Sequence, residues 1–155
     1  MKIHFWSIGK AHDPYVKTGI ELFTKRISHY FTVEWKIIAS SNVNFSNEKL
    51  KKAEAESVLK LLQPDDVLIL LDEKGKQITS DKLAKLIQDN ANKSSKNIIF
   101  LIGGAYGVDE KISRRSNFIW GLSQLVFPHQ LVRLILAEQV YRACTIIRNE
   151  KYHHN

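Results

Sequence analysis

Three stretches of this chain hold residue types whose spacing can do chemistry. The first is Gly103-Gly104-Ala105-Tyr106-Gly107, which follows the apolar run 97–102 directly. Glycine permits positive φ and lets backbone N–H and C=O groups approach a ligand closely. A glycine turn at the carboxyl end of a buried strand is therefore a ligand-binding element in α/β proteins, although the same composition also makes an ordinary tight turn. A dinucleotide fingerprint is excluded, since its spacing would need glycine where the chain has Ile102. No Gly-Lys-Ser or Gly-Lys-Thr occurs, so a phosphate-cradling nucleotide loop is absent. The second stretch is 117–129, where Gly121, Ser123 and Pro128 interrupt apolar residues and His129 follows the proline. His129 is placed either to cap the last helix or to contact a substrate. The third runs from Arg133 through Glu138 and Arg142 to Tyr152-His153-His154. Glu138 and Arg142 are four apart in the favourable order, a pair worth about 0.3–0.5 kcal/mol on an exposed helix. A tyrosine beside two histidines suits stacking on, or hydrogen bonding to, a base. His-Glu-x-x-His, paired cysteines and Gly-x-Ser-x-Gly are missing, which argues against metal hydrolysis and serine-type acyl transfer and predicts no metal site.

The elements that must position these residues follow from periodicity. Lys2–Ile8 reads as a strand, and Asp13-Pro14 as a helix cap with proline at the first helical position. Val16, Ile20, Phe23 and Ile27 then mark one helical face. Thr32–Ile38 is a strand rich in β-branched and aromatic residues, and 39–47 a polar loop. A helix with one charged face is expected over 48–63. Residues 67–71 and 97–102 are continuously apolar, as in strands buried on both faces of a parallel sheet. Between them lie a loop at 72–76 and a helix at 80–91 capped by Ser80. A short helix at 108–113, a strand-like stretch at 118–127 and a final helix at 130–148 complete the chain. On that last helix Val132, Ile135, Leu136, Val140, Ala143, Ile146 and Ile147 fall on one broad side and Arg133, Glu138, Tyr141, Arg142 and Arg148 on the other. The apolar side is wide enough to hint at a subunit interface. Alternating strands and helices predict an α/β parallel sheet, and the absence of a composition break predicts one domain.

Composition narrows the function classes. The chain has 155 residues, 44% of them hydrophobic, which argues against disorder. Its single Cys144 excludes a disulfide scaffold and points to a reducing compartment. No leader pattern opens the chain, and the longest apolar runs fall far short of the roughly 20 residues of a membrane helix, so a soluble cytoplasmic protein without membrane contact is expected. The net charge of +7 is spread along the chain: Lys/Arg outnumber Asp/Glu by ten to six over 1–60, match them at six over 61–102, and lead by seven to four thereafter. Such a surface suits a nucleic-acid partner without a dedicated basic tail.

Leu101-Ile102-Gly103-Gly104-Ala105-Tyr106-Gly107, Phe127-Pro128-His129-Gln130-Leu131-Val132-Arg133 and Glu138-Gln139-Val140-Tyr141-Arg142-Ala143, in that order and in a chain of this length, resemble the small bacterial SPOUT methyltransferases, which methylate a pseudouridine at ring nitrogen 3 in 23S ribosomal RNA of the assembled ribosome. The resemblance covers the whole chain. It implies one SPOUT domain over 1–155, with a parallel sheet flanked by helices and a deep C-terminal trefoil knot. It also implies a homodimer whose donor sites are completed near the partner subunit. By motif, S-adenosylmethionine would be held at Leu71, Gly103, Leu122, Ser123, Gln124, Leu125, Val126 and Phe127. The same resemblance puts His129, Glu138 and Arg142 in catalysis, with His129 or Glu138 taking the ring proton, and Arg133, Tyr152 and His153 on the RNA. Two other readings fit the residues: an α/β RNA-binding or ribosome-associated protein without catalysis, and a SPOUT methyltransferase acting on tRNA.

Overall fold

The computed structural model describes residues 1–40 and 44–154. Its elements are β1 (Lys2–Ile8), α1 (Pro14–Ile27), β2 (Thr32–Ile38), α2 (Asn47–Leu61), β3 (Val67–Lys76), α3 (Ser80–Asn92), β4 (Asn97–Ile102), α4 (Glu110–Arg115), β5 (Phe118–Trp120) and α5 (His129–Ile147). The five strands form one sheet in the order β2-β1-β4-β3-β5, parallel throughout. This is the parallel α/β sheet that the alternating pattern predicts; the order itself is new information. The β3-to-β4 connection runs one way along the sheet, and the β4-to-β5 connection runs back past β3.

Side-chain alternation along the strands sorts two cores. Ile3, Phe5, Ile69, Ile98, Phe100 and Ile102 face α1, α3 and α5, where Ile27, Leu83, Ile87, Leu136 and Val140 close over them. Trp6, Ile8, Leu68, Leu70, Ile99 and Leu101 face Ala55 and Val58 of α2 and Ile112 of α4. The central strands are thus buried on both faces, which explains their unbroken apolar runs. Helix α5 packs against both α1 and α3.

Several boundaries differ from the sequence reading, each for a local reason. Strand β3 continues through the expected loop 72–76, because Lys76 pairs with Trp120 of β5 across a register shift. The strand-like stretch 118–127 pairs only over Phe118–Trp120, and 121–128 is loop. Thr79, not Ser80, caps α3, its hydroxyl accepting from the Lys82 N–H at 3.2 Å. Helix α4 starts later than expected, after Asp109, whose carboxylate accepts from the Lys111 N–H. Arg133, expected on the polar side of the last helix, is fully buried. Glu54, expected on the charged face of α2, is 3% exposed. The expected 39–47 loop is consistent with the turn at Asn44 and the bend at Phe45; its residues 41–43 lie outside the described residues. Among the described residues no helix is long and apolar enough to cross a membrane, and no three His, Cys, Asp or Glu side chains are grouped to hold a metal ion.

Candidate functional site

A parallel sheet gathers its strand-to-helix loops at one edge, and here those after β4 and β5, with residues 71–74 of β3, enclose a cavity of about 630 Å³. Its floor is the strand ends: Leu71, Ile102 and Trp120. One wall is 103–108. An antiparallel bridge between Gly104 and Gly107, with the Gly107 N–H donating to the Gly104 carbonyl at 3.2 Å, closes this turn. Gly107 adopts φ +84°, a region that favours glycine. The facing wall is 122–127. Gly121 lies so close to Gly75 that a Cβ on it would stand 2.7 Å from the Gly75 carbonyl oxygen, so the bare backbones seat this loop against β3. The Ser123 hydroxyl then accepts from the Leu125 N–H at 3.0 Å.

His129 joins the two walls. As the first residue of α5 it faces the cavity, and its Nε2–H donates to the Gly103 carbonyl at 2.7 Å. Burial pulls its basicity below that of an ordinary histidine; the bond to Gly103 opposes this, and the nearby Arg133 charge adds to it. Glu54 lies behind Gly104: a Cβ there would meet the Glu54 Oε2 at 2.6 Å. Ser40 donates to Glu54 Oε1 at 2.9 Å, yet burial holds this carboxyl above the usual carboxylate range.

A second group of candidates assembles elsewhere. Glu138 Oε1 accepts from Arg142 Nε at 3.0 Å, Arg142 Nη2 at 2.5 Å and the Tyr152 hydroxyl at 3.1 Å. The Arg142 guanidinium lies 4.7 Å from the Tyr152 ring centroid and 3.3 Å from His153 Nδ1. Tyr152 also packs edge-on against Tyr141. The tail is therefore docked on α5 rather than frayed. Burial and the bond to Glu138 raise the Tyr152 hydroxyl above its ordinary pKa.

Of the residues singled out from sequence, Leu71, Gly103, Leu122, Ser123, Leu125, Val126, Phe127 and His129 line the cavity. Gln124 is exposed and does not line it. Glu138, Arg142, Tyr152 and His153 form their own cluster, with Glu138 nine residues beyond His129, about 14 Å along a helix axis. Arg133 joins neither group and, at 0% exposed, has no surface from which to meet RNA. Sequence reasoning did not find Lys51, Asp72, Glu73, Lys74 and Val108 on the walls. The signal for 72–74 was Gly75, whose close packing keeps β3 extended past the expected loop.

A cavity at the carboxyl edge of a parallel sheet, walled by a glycine turn and a second loop from the C-terminal part of the chain, has the form of an α/β ligand site that needs no phosphate loop. A family model described as predicted SPOUT methyltransferase matches residues 1–153, and the chain belongs to that family. Two curated relatives bear the name ribosomal RNA large subunit methyltransferase H. The one from Cytophaga hutchinsonii is 46% identical over 99% of this chain and 100% of its own, and the one from Parabacteroides distasonis is 40% identical over 99% of each. A solved structure described as a probable methylase family protein, from Haemophilus influenzae Rd KW20, superposes with a TM-score of 0.56 at 13% identity, over 99% of this chain and 70% of that one. That last likeness speaks to the fold alone.

Proposed function

We propose that this chain is an S-adenosylmethionine-dependent methyltransferase of large-subunit ribosomal RNA, acting at ring nitrogen 3 of a pseudouridine in the assembled ribosome. The cavity supports the reading most directly. Its volume suits a drug-sized ligand. Its apolar floor and glycine-rich wall suit an adenosine, and no phosphate cradle is required of it. When bound, the donor supplies an electrophilic methyl group on sulfur. Leu71, Gly103, Leu122, Ser123, Leu125, Val126 and Phe127 would hold it, and the tether from His129 to Gly103 keeps the two walls at a fixed separation. Alignment of this kind contributes several kcal/mol to a displacement. The family's trefoil knot would be tied where the β4-to-β5 connection and the 121–128 loop meet, within one domain over 1–155.

The charged cluster near the tail completes the reading. Glu138 and Arg142 lie too far along α5 from His129 to serve the same reacting atom within one chain. Tyr152 and His153 would therefore meet the target nucleotide at the partner subunit's cavity, in a homodimer. Tyr15 and Leu22 of α1 are 66% and 45% exposed, and that apolar surface is a suitable dimer face. Tyr106, Leu125 and Val126 surround the cavity mouth with exposed apolar surface, suited to an unstacked base. The place of work would be the cytoplasm.

The test incubates the purified protein and S-adenosylmethionine with ribosomes from a strain lacking the modification, then maps the RNA by mass. A gain of one methyl on a large-subunit pseudouridine is expected. Donor binding without methylation of ribosomes, but with methylation of tRNA, would move the substrate. No donor binding at all would leave an RNA-binding protein.

A further inference from the structure

Among the described residues Arg133 is the largest fully buried side chain, and no carboxylate pairs with it. Its Nη1 donates to His12 Nδ1 at 3.1 Å, while Nε and Nη2 have no hydrogen-bond partner among the described residues. Enclosing a cation this way costs several kcal/mol. What the charge faces is informative. A Cβ on Gly9 would stand 3.7 Å from Arg133 Nη2 and 4.0 Å from His129 Cε1, so guanidinium and imidazole converge on the same point of the β1–α1 loop. Because Nη1 donates to it, His12 Nδ1 carries no proton, and burial and Arg133 both hold His12 in its neutral form. His12 thus holds one arm of the Arg133 guanidinium without adding charge.

The bond to Gly103 has a second consequence. A carbonyl only accepts, so His129 Nε2 carries the hydrogen and Nδ1 carries the lone pair. Nδ1 has no partner among the described residues and is not among the buried orphan atoms, so it is open, and His129 lines the cavity. We infer that Arg133 is a positioning residue which, together with the Gly103 carbonyl, fixes His129 as the uncharged Nε2–H tautomer, and that His129 Nδ1 takes the proton from the ring nitrogen to be methylated. In that step the ring N–H bond breaks and an Nδ1–H bond forms. The electron pair left on the ring nitrogen makes the new bond to the methyl carbon, the electrons of the broken carbon–sulfur bond stay on sulfur, and the imidazolium later releases its proton to solvent. This inference rests on the methyltransferase reading above and selects His129 over Glu138, whose carboxylate already accepts from Arg142 and Tyr152 outside the cavity.

The other charged groups near His129 are few. Asp13, which pairs with Lys10 at 3.4 Å, lies toward Arg133 in the β1–α1 loop. Asp72, Glu73 and Lys74 of β3 and Lys51 of α2 line the same cavity. Arg133 is the nearest cation on the histidine's own helix, one turn along.

The test reads the imidazole directly in the donor-free protein. Two-bond proton–nitrogen spectra with ¹⁵N-histidine, the His129 signal being assigned by its loss in His129→Gln, are expected to give the Nε2–H tautomer at neutral pH and a titration midpoint below that of an exposed histidine. Arg133→Gln, which keeps a donor for His12 but drops the charge, is expected to move the midpoint to higher pH and to move the acid limb of the single-turnover rate with it. Arg133→Lys restores both. His129→Gln is expected to slow methyl transfer about 100-fold or more at saturating donor. An Nδ1–H tautomer, a midpoint unmoved in Arg133→Gln, or an unslowed His129→Gln overturns the inference. The tautomer measurement needs no variant, so a misfolded substitution does not spare it. A wild-type protein with the expected titration that methylates no RNA overturns the functional reading instead.

Discussion

Gly103 carries two duties that a side chain would set against each other. Its carbonyl receives the His129 proton donor, and a Cβ on it would stand 2.6 Å from Val108 Cγ1. Gly103→Val must therefore displace Val108 or the turn itself, and either movement breaks the tether between the cavity walls. Isothermal titration with S-adenosylmethionine is expected to show at least a tenfold loss of affinity, about 1.4 kcal/mol, while circular dichroism stays native; undiminished affinity would place the donor elsewhere. Glu54 gives a prediction in pH. Its folded-state pKa is raised by burial, so the folded protein binds a proton more readily there than the unfolded chain does. This penalty on the carboxylate is present at neutral pH and vanishes as pH falls below the ordinary glutamate range. Glu54→Gln keeps an oxygen for the Ser40 hydroxyl and removes the charge. Its melting temperature should exceed that of the wild type at neutral pH, and the difference should shrink towards zero at about pH 4.

At the scale of elements, the site depends on backbone packing that no periodicity announces. Gly75 and Gly121 touch through their main chains, which extends β3 to Lys76 and turns 121–127 over the strand ends. Gly121→Ala puts a methyl 2.7 Å from a carbonyl oxygen, a misfit of the kind that costs about 1–3 kcal/mol. Urea unfolding should show that loss, and donor affinity should fall with it because this loop forms one wall of the cavity. A stability loss with unchanged affinity would separate the loop from the donor. The strands β1, β2 and β4 were legible residue for residue because burial on one or both faces writes itself into side-chain type. The extension of β3 and the early end of β5 were not, since both follow from a glycine contact 46 residues apart in the chain (Gly75 to Gly121). Arg133 and Glu54 misled for a related reason: charge type predicts a solvated face, and only tertiary packing reveals a buried one. The candidate cavity residues came from motif resemblance, and His129 alone of the three catalytic candidates was placed among them by the fold.

At the scale of the whole molecule, the separation of the cavity from the Glu138–Arg142–Tyr152–His153 cluster makes a prediction that a one-chain enzyme could not satisfy. If each reaction uses the cavity of one subunit and the tail cluster of its partner, two dead variants can repair each other. Gly103→Val spoils the cavity and leaves the cluster, whereas Tyr152→Ala spoils the cluster and leaves the cavity. Each homodimer should be inactive on ribosomes. Mixed one to one and allowed to exchange subunits, half of the dimers become mixed, and each of these holds one site built from a sound cavity and a sound tail. Methyl transfer should then recover to about a quarter of the wild-type rate per subunit, the statistical share for a two-fold dimer. If the cluster served its own cavity, or only stabilised α5, every subunit in the mixture would keep its defect and no recovery would appear. The spread of the +7 charge along the chain agrees with the first outcome: Lys and Arg distributed over the chain, rather than gathered in one run, would form a continuous RNA surface across two paired copies.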